Sequence, residues 1–216
     1  MKVLLKANGR TADGGTPMVM HNERLADPLD SCTQSIAGIS KKKNKTLADH
    51  EEVARREFLG GLYTDPVIEL DTKGQLTSNS QVVIVPAWNV LRCLQEGATR
   101  QKRGKDVLRG VQPLVVHATF TYDGPIAPDE LWKAGTFALR KTVSVQRART
   151  VRTRPMFHDW QVDLPIEVDA LVLDVHTLRV AWADAGKYAG LGEMRPVYGR
   201  FDGTLEVIEE DEDGEA

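Results

Sequence analysis

The order of six periodic stretches constrains this chain more than any other feature of it. Lys2-Val3-Leu4-Leu5-Lys6-Ala7 reads as a first strand. Pro86 suits the first turn of a helix over about Ala87–Glu96, where Trp88, Leu91 and Leu94 recur at helical spacing. Leu114, Val116, Ala118, Phe120 and Tyr122 alternate with polar or smaller residues, as do Trp160, Val162, Leu164, Ile166 and Val168, and each set reads as a strand. Pro165 predicts an edge position or a bulge for the second of these. Asp174 caps a helix running to about Ala185, and Phe201, Leu205 and Val207 mark a last strand. Strand, helix, strand, strand, helix, strand is the order of the split βαβ, or ferredoxin-like and RRM-like, α+β arrangement. A barrel with attached helices is the alternative.

Two long interruptions decorate that core, at about residues 8–80 and 123–159. The first opens on glycine-rich breaks and contains the run Lys41-Lys42-Lys43-Asn44-Lys45. Thr46 then caps a helix over about Leu47–Leu59, which Gly60-Gly61 ends. Leu62 to Ile68 is extended, because the residue before Pro66 avoids the helical region, and Gln81–Val85 is a short apolar extended run. The second interruption predicts a short helix at Asp129–Trp132 and then a basic hairpin. Arg140, Lys141, Arg147, Arg149, Arg152 and Arg154 are interleaved there with valines, and no acidic residue occurs between Arg140 and Arg154. Such a ribbon suits a phosphate backbone, and it equally suits an edge ribbon kept from aggregating by its charges.

Charge sharpens this contrast. The formal net charge is −3, yet seven of the negative charges lie in the last eleven residues, so the remaining body carries +4. The acidic tail, 209–216, is expected to be disordered and solvated. Arg100, Lys102, Arg103, Lys105 and Arg109 form another basic cluster, and Gly97, Gly104 and Gly110 predict a mobile loop around it. Cys32 and Cys93 lack CxxC partners, which excludes a zinc-cluster or disulfide framework as the organising principle. No apolar run reaches membrane-spanning length, so a cytoplasmic protein without a membrane partner is expected.

The stretch Ala185–Phe201 carries four glycines between its flanking elements, with Tyr188, Arg195, Tyr198 and Arg200 among them. Turns that expose successive N–H groups bind anions, arginines pair with phosphates, and tyrosines stack bases. Gly190, Gly192, Tyr188, Arg195, Tyr198 and Arg200 are therefore nucleic-acid-binding candidates together with Lys102, Arg103, Lys105 and the hairpin cations. The other reading is a glycine-rich connection that lets a helix pack on a sheet.

Several stretches resemble the RAMP superfamily, and most nearly the subunits that form the repeating backbone along the guide RNA of CRISPR effectors. Val83–Arg92 resembles that family's strand-to-helix entry, with Ala87-Trp88-Asn89 in place of its small residues. Gly186–Phe201 resembles its C-terminal glycine-rich loop, and Gly60–Ile68 its GGxDxPVI loop. The hairpin between the middle strands stands where the family has its thumb. The resemblance implies a single RAMP-like domain over 1–208 that binds RNA or single-stranded DNA and assembles along it. It also implies a bacterial or phage-infected cell as the setting. It makes Asp65 the candidate catalytic residue of a metal-dependent endoribonuclease, which would use Mg²⁺; as a binding protein the chain needs no cofactor. His158-Asp159 is a weaker acid–base candidate. A viral structural or assembly protein is the third reading, with an acidic neighbour on the ribbon.

Overall fold

The computed structural model describes residues 1–78, 80–145 and 148–208. Arg147 and the acidic tail at 209–216 lie outside the described residues. In chain order the elements are β1 (Lys2–Asn8), β2 (Met18–Val19), α1 (Ser31–Ser40), α2 (Leu47–Gly61), β3 (Thr64–Asp65), β4 (Val82–Val83), β5 (Val85–Pro86), α3 (Ala87–Thr99), α4 (Gly104–Gly110), β6 (Val111–Pro113), β7 (His117–Thr121), α5 (Pro128–Ala134), β8 (Ala138–Val145), β9 (Ala148–Phe157), β10 (Gln161–Val168), α6 (Val175–Asp184) and β11 (Asp202–Ile208). The class is α+β, with antiparallel sheets and helices packed on them. The chain divides into two compact units, one made of Met1–Met18, Val85–Tyr122 and the chain from His158 onward, the other of Val19–Ile84 and Asp123–Phe157.

The first unit is built on a sheet of strand order β11-β1-β10-β7-β5, with β6 also on β10. Its register explains its core. Val3 stands opposite Ile166 and Val207, Leu5 opposite Leu164 and Leu205, and Ala7 opposite Val162. Opposed residues share a face, so period-2 alternation collects these side chains into one apolar layer. Trp182 of α6 lies against this layer, its indole N–H donating to Lys6 O at 2.8 Å, and it packs on Phe201 with ring centroids 4.7 Å apart. The opposite face carries Lys2, Lys6, Asp163, Glu167 and Glu206 by the same register. Lys6 Nζ there pairs with Glu206 at 2.7 Å.

Several expectations are corrected in this unit. Gly97, Gly104 and Gly110 mark no mobile loop: Gly104–Gly110 is α4, and all three glycines are buried. A Cβ on Gly97 would lie 2.2 Å from Ala181 O, so the missing side chain is what lets α3 meet α6. Pro165 sits on a central strand, opposite Leu4. Its carbonyl accepts from Leu114 N at 3.0 Å, so its edge without an N–H faces the break between β6 and β7. Trp88 is off the helix's core face and 61 % exposed; Leu91 and Leu94 of that stripe are buried, with Val90 and Cys93 beside them. Leu114 and Val116 are exposed as well, because the strand begins only at His117.

The second unit joins pieces from both interruptions. The first of them holds α1, which its polar composition concealed; Asp30 caps it by accepting from Cys32 N and Thr33 N. Thr46 caps α2 in a reciprocal capping box with Asp49, and the helix runs through Gly60-Gly61 rather than ending before them. Arg55 Nη2 donates to Asp129 of the second interruption at 2.8 Å, and Phe58 packs on Trp132 with centroids 5.5 Å apart. Arg56, only 7 % exposed, spends its guanidinium on Glu52, Ser35 O and Lys73 O. Gly61 admits Pro155 of β9, since a Cβ there would stand 2.8 Å from Pro155 Cδ.

Candidate nucleic-acid interface

β-branched residues crowd β8 and β9: Thr142, Val143, Val145, Thr150, Val151 and Thr153 favour the extended backbone. Their register runs from Ala138 opposite Pro155 to Val145 opposite Ala148. Leu139, Lys141 and Val143 therefore share one face with Arg154, Arg152 and Thr150, whereas Arg140, Thr142 and Ser144 share the other with Thr153, Val151 and Arg149. The predicted cations do not form one stripe; they are distributed over both faces. Arg140, Lys141 and Arg149 are exposed, and Arg152 and Arg154 are half-buried.

Arg152 has a role that charge counting did not predict. Its Nη1 donates to Glu57 Oε1, and Thr153 N donates to Glu57 Oε2 at 2.9 Å. Glu57 is 5 % exposed. A buried carboxylate needs such partners, so Arg152 fixes the ribbon to α2 before it binds anything else. Beside this pair lies a cleft of about 440 Å³. Leu25, Ile36 and Ala37 line it with apolar side chains, and the ribbon face that carries Val143 contributes Arg152 and Arg154.

The glycine-rich stretch belongs to the first unit, and its groups serve mostly the stretch itself. A π-helical turn over Ala185–Ala189 leads to Gly190 at φ +78°, and Gly192 and Gly199 also have positive φ. Gly190 N donates to Ala185 O, Leu191 N to Gly199 O, and Gly199 N to Pro17 O, at 2.8, 2.7 and 2.8 Å. These N–H groups are spent within the fold and make no anion nest. Arg195 pairs with Glu96 at 3.1 Å, and Arg200 Nε donates to Pro196 O. Tyr188 already carries the Arg100 guanidinium on its ring, 3.8 Å from the centroid, and Tyr198 is half-buried. The recess of about 380 Å³ beside them sets Glu96 and Glu193 against Arg195, a poor balance for a phosphate.

In α4 and the turn before it, Lys102 and Lys105 are exposed, while Arg103 donates to Val172 O at 2.8 Å and pairs with Asp106 at 2.7 Å. Asp65 is exposed on β3, and among the described residues no three His, Cys, Asp or Glu side chains gather. Asp159 is not on a strand beside His158: it has φ +45° in the bend before β10, and its carboxylate accepts from Thr11 N at 2.9 Å. That carboxylate anchors a turn. Two thiols complete the inventory: both are buried, burial pushes the Cys93 thiol up to about 12, and Cys32 is raised for the same reason.

Sequence reasoning missed Glu57 and the cleft. A signal for Glu57 was present, since it falls one helical turn after Val53 on the apolar side of α2. No family model matches this chain, and neither does any curated protein.

Proposed function

We propose that this chain binds single-stranded nucleic acid, RNA or DNA, along the β8–β9 ribbon, in the manner of a RAMP-like backbone subunit that assembles along the strand. One observation carries the reading: an antiparallel ribbon with exposed Arg140, Lys141 and Arg149, on a stretch without a single acidic residue. Each phosphate neutralised on such a surface releases counterions, and that release drives binding. The reading further takes the first unit as a ferredoxin-like core. The order β11-β1-β10-β7 supports it, with α3 after the first of the four strands in sequence and α6 after the third. In chain order the ribbon then falls between β7 and β10, the position of the thumb in that family. The strand follows the ribbon and not the opposite face of the sheet, since Asp163, Glu167 and Glu206 outnumber Lys2 and Lys6 there and the register sets no aromatic residue among them.

Fluorescence anisotropy with labelled RNA and single-stranded DNA over a salt series tests this directly. Affinity falls steeply between about 50 and 200 mM salt for at least one of the two. Arg140→Glu with Arg149→Glu abolishes it and leaves the thermal melt unchanged, because both side chains are exposed. An affinity indifferent to salt sinks the proposal. Assembly along the strand predicts that bound mass grows in steps of one 23.9 kDa chain as the oligonucleotide is lengthened, read by native mass spectrometry.

A further inference from the structure

We infer that the cleft beside Glu57 is a subsite for one unstacked nucleotide of the bound strand, its base on the apolar wall and its phosphate at the arginine rim. The inference rests on the nucleic-acid reading above. The size is right for it: about 440 Å³ falls within the range of small-ligand sites and gives room for a single nucleotide. The chemistry is divided as a nucleotide is divided. Leu25, Ile36 and Ala37 line it from α1 and the turn before it, and all three stay half-buried, so apolar surface remains wet until something flat covers it. Arg152 and Arg154 line it from the ribbon, where Val143 and Lys141 share their face.

Glu57 does not repel an anion here, because its charge is met by Arg152 and by the Thr153 N–H. It instead fixes Arg152 in place, and a donor already held in position loses less freedom on binding. A guanidinium offers five N–H donors in one plane, more than a single carboxylate oxygen engages, and that plane suits both phosphate and base. Arg152 remains 41 % exposed beside its partner. An aliphatic wall covers the apolar face of any base, so the subsite holds a nucleotide without selecting its sequence.

The experiment uses the full chain and two variants. Ala37→Trp fills the cleft from α1, and Ser40→Trp crowds its mouth from an exposed position that burdens no packing. Binding is measured to a labelled oligonucleotide and to the same backbone with its bases removed. Covering about 55 Å² of apolar surface with one base corresponds to about a tenfold change in affinity. Both variants should lose about that factor for the intact oligonucleotide, keep the salt slope, and bind the abasic backbone as the native chain does. The native chain alone should bind the intact strand about tenfold more tightly than the abasic one, a result that needs no variant. Steep salt dependence with equal affinity for intact and abasic strands overturns the subsite and leaves the nucleic-acid reading standing. If the native chain binds neither strand at low salt, both fall.

Discussion

Glu57 carries more structural weight than its exposed neighbours on α2. It lies on the buried side of that helix and holds β9 by two hydrogen bonds, one from a side chain and one from the backbone. Glu57→Ala removes both acceptors. The half-exposed Arg152 finds water, but the N–H of Thr153, a residue only 3 % exposed, does not. The expected cost is about 2–3 kcal/mol, the loss of a charged hydrogen bond together with a stranded donor. Glu57→Gln keeps one acceptor for that N–H and costs less. Urea midpoints at constant slope measure both, and a Glu57→Ala midpoint equal to the native one refutes the role. The same residue explains why Arg152 is a poor place to test binding by charge reversal. A glutamate there would face a buried carboxylate, so lost affinity would report lost structure. Arg140 and Arg149 are exposed and free of that confusion.

At the scale of elements, the caps connect sequence to stability against pH. The Lys42 ammonium and the Thr46 backbone hold Asp49 well below the ordinary carboxylate range, and hydrogen bonds from Thr177 lower Asp174 at the start of α6. Asp71 is lowered by backbone N–H groups of the turn at Gln75, Lys73 and Gly74. Each of these carboxyls is depressed on folding, so the unfolded chain takes up protons first. Their contribution is complete above the unfolded value of about 4 and disappears as pH falls through the folded values. Lys6 has the opposite sign: Glu206 raises it, so its contribution holds below its ordinary 10.5 and is lost as pH rises past the raised value. Denaturation midpoints should therefore drop from pH 5 toward pH 2, and a flat profile would deny the caps any contribution.

These caps were legible because Thr46 and Asp174 precede apolar periodicity in the chain, and capping is a matter between near neighbours. The glycines were harder. Gly97, Gly104 and Gly110 look like loop punctuation beside Lys102 and Arg103, and only the approach of α6, distant in sequence, shows that Gly97 is a contact. Gly97→Ala drives a methyl group into Ala181 O and should cost about 1–3 kcal/mol by urea titration, where a loop glycine would cost almost nothing. Pro165 misled in the same way. Its tolerance depends on a break between two partner strands, and one strand read alone does not reveal it. α1 stayed hidden because its apolar stripe, with Cys32 and Ile39 buried, is short and lies among polar residues. The two interruptions were legible as departures from the core pattern, but not as one body, since the ion pair of Arg55 with Asp129 spans 74 positions.

For the whole molecule, the question is which of two arginine-bearing regions, one in each unit, meets the strand. Their charges are equally visible in the sequence and differ in the fold. All four arginines are exposed, but Arg195 is engaged by Glu96 and Arg200 by Pro196 O, whereas Arg140 and Arg149 lie on a stretch without acidic residues. A guanidinium already bonded within its own protein must give up those bonds to engage a phosphate, so it gains less from one. Arg195→Ala with Arg200→Ala should thus leave affinity for a single strand within about twofold and leave the salt slope unaltered. Arg140→Ala with Arg149→Ala should shrink that slope by about 1.4, the share of two phosphate contacts on a single strand. Both pairs remove two positive charges, so a general effect of net charge acts alike on each and cancels in the comparison. Equal losses from the two pairs would move the interface off the ribbon, and a loss confined to the loop pair would restore the glycine-rich turn as the binding element.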